Sequence, residues 1–267
     1  MTEPKPAATV SRLAARGVQL GYDERVVIED LSLVIPEGSF TVIVRPNACG
    51  KSTLLRALAR MIKPRSGQVL LDGHEIATLR SKEVARRLGL LPQSSIAPEG
   101  ITVADLVARG RYPHQSMLRQ WSVDDAETVA EAMEVTNVTD LADRMVDELS
   151  GGQRQRVWIA MVLAQETPLL LLDEPTTFLD IAHQIEVMDL LADLHAAGRT
   201  VVAVLHDLNQ AARYASHLVA MRAGAIVDTG EPSEILTAAL IQTVFGLRSQ
   251  VVPDPVTGTP MVVPLRK

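Results

Sequence analysis

The stretch Phe40-Thr41-Val42-Ile43-Val44-Arg45-Pro46-Asn47-Ala48-Cys49-Gly50-Lys51-Ser52-Thr53 decides how the rest of the chain is read. Phe40 to Val44 is an apolar run, the mark of a strand buried on both faces. From Lys51 the apolar residues Leu54, Leu55, Leu58 and Met61 fall on one face of a helix that ends before Pro64. The loop between them follows the phosphate-binding pattern G-x-x-x-x-G-K-[ST] at every conserved place but the first, where Arg45 stands. In that pattern backbone N–H groups and a helix N-terminus wrap phosphates. Asn47, Ala48, Cys49, Gly50, Lys51, Ser52 and Thr53 are therefore the candidate nucleotide-binding residues. Lys51 is placed to reach the β- and γ-phosphates, and Ser52 to ligate Mg²⁺.

Working outward, the flanking sequence alternates strand and helix patterns. Leu31, Leu33 and Ile35 share one face of a period-two segment that stops at Pro36-Glu37-Gly38. Gln68 to Leu71 followed by Asp72-Gly73 predicts a strand and tight turn. Thr102 to Ala142 changes to a helical pattern, with Thr102/Asp105 and Ser122/Asp125 spaced as N-terminal capping pairs. Alternation then returns: strand Leu169–Leu172, helix Ile181–His195, strand Thr200–Leu205, helix Leu208–Tyr214. This order predicts an α/β fold, a mostly parallel sheet covered by helices, with the helical middle inserted into it. The Val- and Pro-rich segment from Gln250 predicts an irregular or edge-like tail, and residues 1–10 a flexible polar one.

Composition sets the outer bounds. Of 267 residues, 47% are hydrophobic but only 3% aromatic, so the core must rest on Leu, Val, Ile and Ala. A net charge of −6 and a pI near 5.6 argue against a broad nucleic-acid footprint. No apolar run approaches the ~20 residues needed to cross a bilayer, and Met1–Val10 lacks the apolar stretch of a signal peptide. The single cysteine, Cys49, cannot form an internal disulfide, which fits a reducing cytosol.

Two further motifs carry chemistry. Leu169-Leu170-Leu171-Leu172-Asp173-Glu174-Pro175 ends an apolar strand in two carboxylates, at the edge where open α/β sheets bind ligands. Asp173 suits support of Mg²⁺, directly or through water, and Glu174 suits polarising an attacking water. A helix N-terminus favouring acidic residues accounts for one carboxylate, not for both at that strand end. Leu149-Ser150-Gly151-Gly152-Gln153 opens a helix read as Arg154 to Gln165, whose N-terminal amides can face an anion. Alone it is a Gly-rich loop with a Ser cap.

With the three motifs in this order, the chain resembles the ABC ATPase family, whose signature is Leu-Ser-Gly-Gly-Gln, from about Arg12 to Gly246. The resemblance implies a P-loop NTPase (RecA-like) core, an N-terminal antiparallel β subdomain and an inserted helical subdomain at about 96–158, within an ATPase domain of 11–249 and a tail of 250–267. It implies that Tyr22 stacks on adenine, that Gln93 senses Mg²⁺ and lies near a membrane subunit, and that Asp180 contacts a second subunit. His206 takes the place of the family's switch histidine at the γ-phosphate. It further implies a head-to-tail homodimer with two sandwiched ATP molecules, in which Ser150, Gly151, Gly152 and Gln153 face the nucleotide held by the other copy. Separate integral-membrane permease subunits, and indirectly an extracytoplasmic cargo-binding protein, are the implied partners, at the cytoplasmic face of a bacterial plasma membrane.

Arg109-Gly110-Arg111-Tyr112-Pro113-His114, Glu174 to Ile181, His206 to Ala211 and Val244-Phe245-Gly246 resemble the ATPases of bacterial iron-siderophore, haem and cobalamin importers. Ferric-siderophore uptake is the reading favoured within that group, by analogy, because the ATPase does not touch cargo. A DNA- or ribosome-associated ABC ATPase usually carries long coiled-coil insertions or tandem domains, and this chain has neither. A P-loop kinase has no use for Ser150 to Gln153.

Arg45 keeps open a nucleotide-binding subunit with impaired hydrolysis. If that position needs φ > 0, a Cβ costs ~1–2 kcal/mol, and an exposed guanidinium near phosphates returns about 1 kcal/mol. Displacement of the loop by ~1 Å is the larger threat, on the order of 100-fold in rate. The alternative is a φ < 0 site with Arg45 pointing to solvent. Parallel measurement of ATP affinity and turnover for the chain and its Arg45→Gly variant separates the two. A strained loop is relieved by glycine and both values improve, whereas a solvent-facing arginine leaves them equal.

Overall fold

The computed structural model describes residues 11–23, 25–44, 46, 51–93, 96–116, 121–177 and 179–266, with Lys51 and Ser52 described by their backbone. The chain opens with the antiparallel pair β1 (Leu13–Tyr22) and β2 (Arg25–Ile35) and enters the central strand β3 (Phe40–Val44). Leu31, Leu33 and Ile35 lie on the buried face of β2, as their spacing of two requires. Helix α1 (Lys51–Leu58) follows β3 and buries Leu54, Leu55 and Leu58. Met61 does not share that face. Arg60 adopts φ 61°, and the N–H groups of Arg60 and Met61 return to Ala57 and Arg56 in a Schellman closure. The helix therefore stops at Leu58, and Met61 is left 68% exposed.

Strands β4 (Ser66–Leu71) and β5 (His74–Glu75) form the anticipated tight hairpin, with Leu71 opposite His74. Asp72 and Gly73 both take positive φ, 49° and 79°, the two-residue turn that matches strand twist. The first sheet has the order β2-β1-β4-β5. After α2 (Ser81–Ala85), strand β6 (Leu88–Leu91) begins the return to the main sheet.

The segment between β6 and β7 (Leu169–Asp173) is helical: α3 (Val103–Ala108), α4 (Val123–Val135) and α5 (Gly151–Leu163). Thr102 caps α3 by accepting from the Asp105 N–H, and Ser122 with Asp125 forms a full capping box on α4. Then come α6 (Ile181–Ala196), β8 (Thr200–Leu205), α7 (Leu208–Tyr214), β9 (His217–Arg222) and β10 (Ala225–Gly230). The main sheet has the order β10-β9-β3-β8-β7-β6, all pairs parallel except β10 with β9. Every residue of β3, β7 and β8 is buried, consistent with helices on one face and the antiparallel sheet with α1 on the other.

The chain ends in α8 (Pro232–Ile235), α9 (Ala238–Phe245), β11 (Ser249–Pro253) and β12 (Pro260–Pro264). Of the two alternatives for the tail from Gln250, irregular or edge-like, the last two strands take the second, since each is an edge of a two-stranded sheet. They pair in register from Ser249/Pro264 to Pro253/Pro260, and Val262 is buried against the main core. Pro253, Pro260 and Pro264 sit at the strand ends, where the missing N–H groups cost no ladder bond.

The inserted helices are tied to the core through Arg109–His114. Gly110 lies so close to α5 that an added Cβ would stand 2.2 Å from the Met161 carbonyl oxygen. The Arg111 side chain, 6% exposed, donates to Asp125 (2.7 Å), to the Ala164 carbonyl (2.8 Å) and to Glu166. Burial pulls the Arg111 and Asp125 charges towards neutrality, and their mutual hydrogen bonds reverse that, leaving Arg111 raised and Asp125 lowered. Arg111→Met leaves Asp125 buried without its cation, a loss of about 3–5 kcal/mol. Urea unfolding of the two proteins measures it, and a change under 1 kcal/mol overturns this account of the tie. The wild-type contribution of Asp125 is present above the unfolded carboxylate pKa of ~3.9 and fades as pH falls through its depressed folded value.

Candidate active site at the C-terminal edge of the main sheet

Parallel pairing brings the ends of β3, β8 and β7 to one edge. Val44 lies opposite Leu205, and Val204 opposite Asp173. With neighbouring strands ~4.8 Å apart, the end of β3 and the carboxyl-bearing end of β7 are about two strand spacings from each other. Arg45, Asn47, Ala48, Cys49 and Gly50 lie outside the described residues, as do the side chains of Lys51 and Ser52. Helix α1 starts at Lys51, and Thr53 is 2% exposed at its first turn.

Asp173 is the last residue of β7 and 2% exposed. Glu174 leaves the sheet in the left-handed region, φ 56°, at a cost of ~1–3 kcal/mol for a residue with a Cβ. Its N–H still donates to the Val204 carbonyl (3.2 Å), which keeps the bend attached to β8. The bend turns the carboxylate towards two side chains singled out in the sequence. Oε1 pairs with Nε2 of His206 at 2.7 Å, and Oε2 accepts from Nε2 of Gln93 at 2.7 Å. Thr177 Oγ1 adds a third bond to Oε2 at 3.2 Å. The Glu174 side chain is 3% exposed and His206 40%, so the carboxylate is buried and its histidine partner opens to solvent. His206 follows β8 directly, and Asp207 caps α7 by accepting from the N–H groups of Asn209 and Gln210.

A second group gathers at the starts of α5 and α6. Helix α5 begins at Gly151, three residues before the expected Arg154, because Ser150 and Gln153 form a reciprocal capping box. Asp180 caps α6, accepting from the His183 N–H (3.0 Å) and pairing with the His183 ring (2.8 Å). The backbone N–H and then the ring of His183 hold the Asp180 carboxyl below the usual carboxylate range. The His183 ring fills the space beside Gly152, 3.1 Å from where a Cβ would stand. Gln155 joins the two groups by donating to the Pro175 carbonyl (2.9 Å). Tyr22 ends β1 in the other sheet and is 43% exposed.

Thr177, Gln155 and His183 were not singled out from the sequence. Thr177 stands three residues after Glu174, a local signal within reach. Gln155 and His183 act on residues 20 and 31 positions away, and no spacing rule points to them.

Comparison with known proteins gives the family. The ABC transporter family matches residues 28–177. The ferric enterobactin transport ATP-binding protein of Escherichia coli (strain K12) is 58% identical over 96% of this chain and 95% of its own length. A probable siderophore transport system ATP-binding protein of Bacillus subtilis (strain 168) is 55% identical over 96% and 93%. A dimeric ATP-binding cassette solved in a post-hydrolysis state with ADP and Pi superposes with a TM-score of 0.72, at 27% identity, over 82% of this chain and 98% of that one. The chain belongs to the ABC transporter ATP-binding family, and it is an ATPase.

Proposed function

We propose that this chain hydrolyses ATP to energise import of a ferric siderophore through separate membrane-spanning permease subunits. The observation that carries the hydrolytic half is Glu174, held between Gln93 and His206 at the sheet edge where β3 also ends. Glu174 serves as the general base for the attacking water, and His206 orients it and faces the γ-phosphate. Both Glu174 oxygens are engaged in this state, so water gains access when Gln93 or His206 gives up its bond. Lys51 and the backbone of 47–53 bind the phosphates, and Tyr22 stacks on the adenine.

Mg²⁺ suits the donors present. Among the described residues no cluster of three His, Cys, Asp or Glu side chains could hold a metal alone. A hard ion that keeps waters and shares the substrate's phosphates needs only one carboxylate and a hydroxyl from the protein. Asp173 and Ser52 are those two groups, with the Gln93 amide oxygen as a further ligand, and an ion held there would offset the charge on the phosphates.

Ser150–Gln153 and Asp180 form their own group beside the base, a division that supports two copies pairing head to tail, each completing the other's nucleotide site. Among the described residues no helix is long and apolar enough to cross a membrane; the subunit's place is at the cytoplasmic face, docked on the permease subunits. The cargo rests on relatives at 58% and 55% identity, named for ferric enterobactin and siderophore transport. An extracytoplasmic binding protein delivers that cargo to the permease.

Glu174→Gln keeps the shape and removes the base. Phosphate release should fall about 100-fold or more, with ATP affinity kept; turnover within a few-fold of wild type dismisses Glu174 from this role. For the cargo, the chain is co-purified with its permease pair in lipid and challenged with the binding protein, empty or loaded with ferric siderophore, haem or cobalamin. Stimulation confined to the ferric-siderophore arm is the expected result, and stimulation by another cargo replaces it.

A further inference from the structure

The C-terminal hairpin has no part in the reading above, yet it grips the helix that follows the switch histidine. Asn209 lies in the first turn of α7, three residues after His206. Its amide makes a two-point pair with one backbone unit of β12. The Val262 N–H donates to Oδ1 at 2.7 Å, and Nδ2 donates to the Val262 carbonyl at 3.4 Å. Both backbone groups of Val262 therefore point away from β11, and the asparagine amide stands where a third strand's peptide would be. Val262 itself is 5% exposed and packs with the main core.

The hairpin is built to keep its shape. Asp254 Oδ1 accepts from the N–H groups of Val256 (2.8 Å) and Thr257 (3.0 Å), and Asp254 and Gly258 close the turn through backbone bonds of 2.8 Å. Gly258 supplies the positive φ, 73°, that this turn needs. Opposite the hairpin, α7 is held to α6 by Gln210 to Gln184 (2.8 Å) and Tyr214 to Asp189 (2.7 Å). The helix is thus clamped on two sides, immediately beyond a histidine whose ring must meet Glu174 at 2.7 Å.

We infer that Asn209 is a positioning residue that uses the C-terminal hairpin to set His206 against Glu174. The inference rests on the reading of Glu174 and His206 as the hydrolytic pair. The hairpin, like His206 and α7 themselves, lies beyond residues 28–177, the part of the chain that the family model matches. Asp207 caps α7 from within and fixes its start. Gln210 and Tyr214 hold the helix on the α6 side, and Asn209–Val262 holds it on the side of the hairpin.

The test compares wild type with Asn209→Leu, which loses both bonds at similar volume, and Asn209→Asp, which keeps the acceptor for the Val262 N–H. ATP turnover, KM for ATP, melting temperature and the ring resonances of His206 in ¹⁵N-histidine NMR are measured together. The His206 signals are assigned by their loss in His206→Ala. Asn209→Leu should lower kcat by between about 5- and 100-fold, leave KM within about twofold and move the His206 resonances. Asn209→Asp should recover part of the rate. Unchanged turnover overturns the inference. So does a fall in turnover with the His206 resonances in place, because Asn209 then acts elsewhere. Full turnover in His206→Ala or Glu174→Gln refutes the hydrolytic pair instead, and the resonances still report whether Asn209 holds the ring.

Discussion

Parallel pairing of β3, β8 and β7 is the constraint on which the site depends. Each strand delivers a different functional group, and the groups meet only because the strands run the same way and end level, Val44 beside Leu205 and Val204 beside Asp173. A slip of one residue in this register would turn every buried side chain of these strands to the other face. Fifteen apolar or small side chains and the Asp173 carboxyl leave no permissive alternative, since all the residues of the three strands are buried. The hydrophobic effect thus sets the position of the chemistry, and hydrogen bonds then aim it.

Aiming has a visible cost. Glu174 bends out of the sheet through a conformation that side chains with a Cβ avoid. The bend is held by the bond to Val204 and by the contacts of the carboxylate with Gln93, His206 and Thr177. Gln93 follows β6 while Val204 and His206 belong to the end of β8, so the strain is held from the strands on both sides of β7. Arg111 performs the corresponding task for the inserted helices, joining α4, through Asp125, to the end of α5 through the Ala164 carbonyl.

Much of this was legible from local pattern. The boundaries of β3, β8 and α7 agree with the hydrophobic runs and their turn signals, because a buried strand or a capped helix is specified by residues within a few positions. Thr102, Ser122 and Ser150 announce their helices for the same reason, although the helix after Ser150 begins earlier than its apolar residues suggest. The C-terminal hairpin was legible only in part. Its Pro and Val content argues for an edge, and the partner that completes that edge is Asn209, 53 residues away. Met61 was misplaced because Arg60, not a glycine, takes the left-handed position that closes α1.

The sequence by itself determined the alternation of elements and the buried strands, which follow from periodicity and short-range capping, and the order of the motifs, which carries the resemblance to the family. The tertiary structure decided which of the named residues act on one another. Gln93 and His206 lie 81 and 32 positions from Glu174, and only the level ends of parallel strands bring them to 2.7 Å from its two oxygens. The capping box at Ser150 and the clamp at Asn209 show the same division. A cap needs only its own helix, whereas a clamp needs a partner that folding alone brings near.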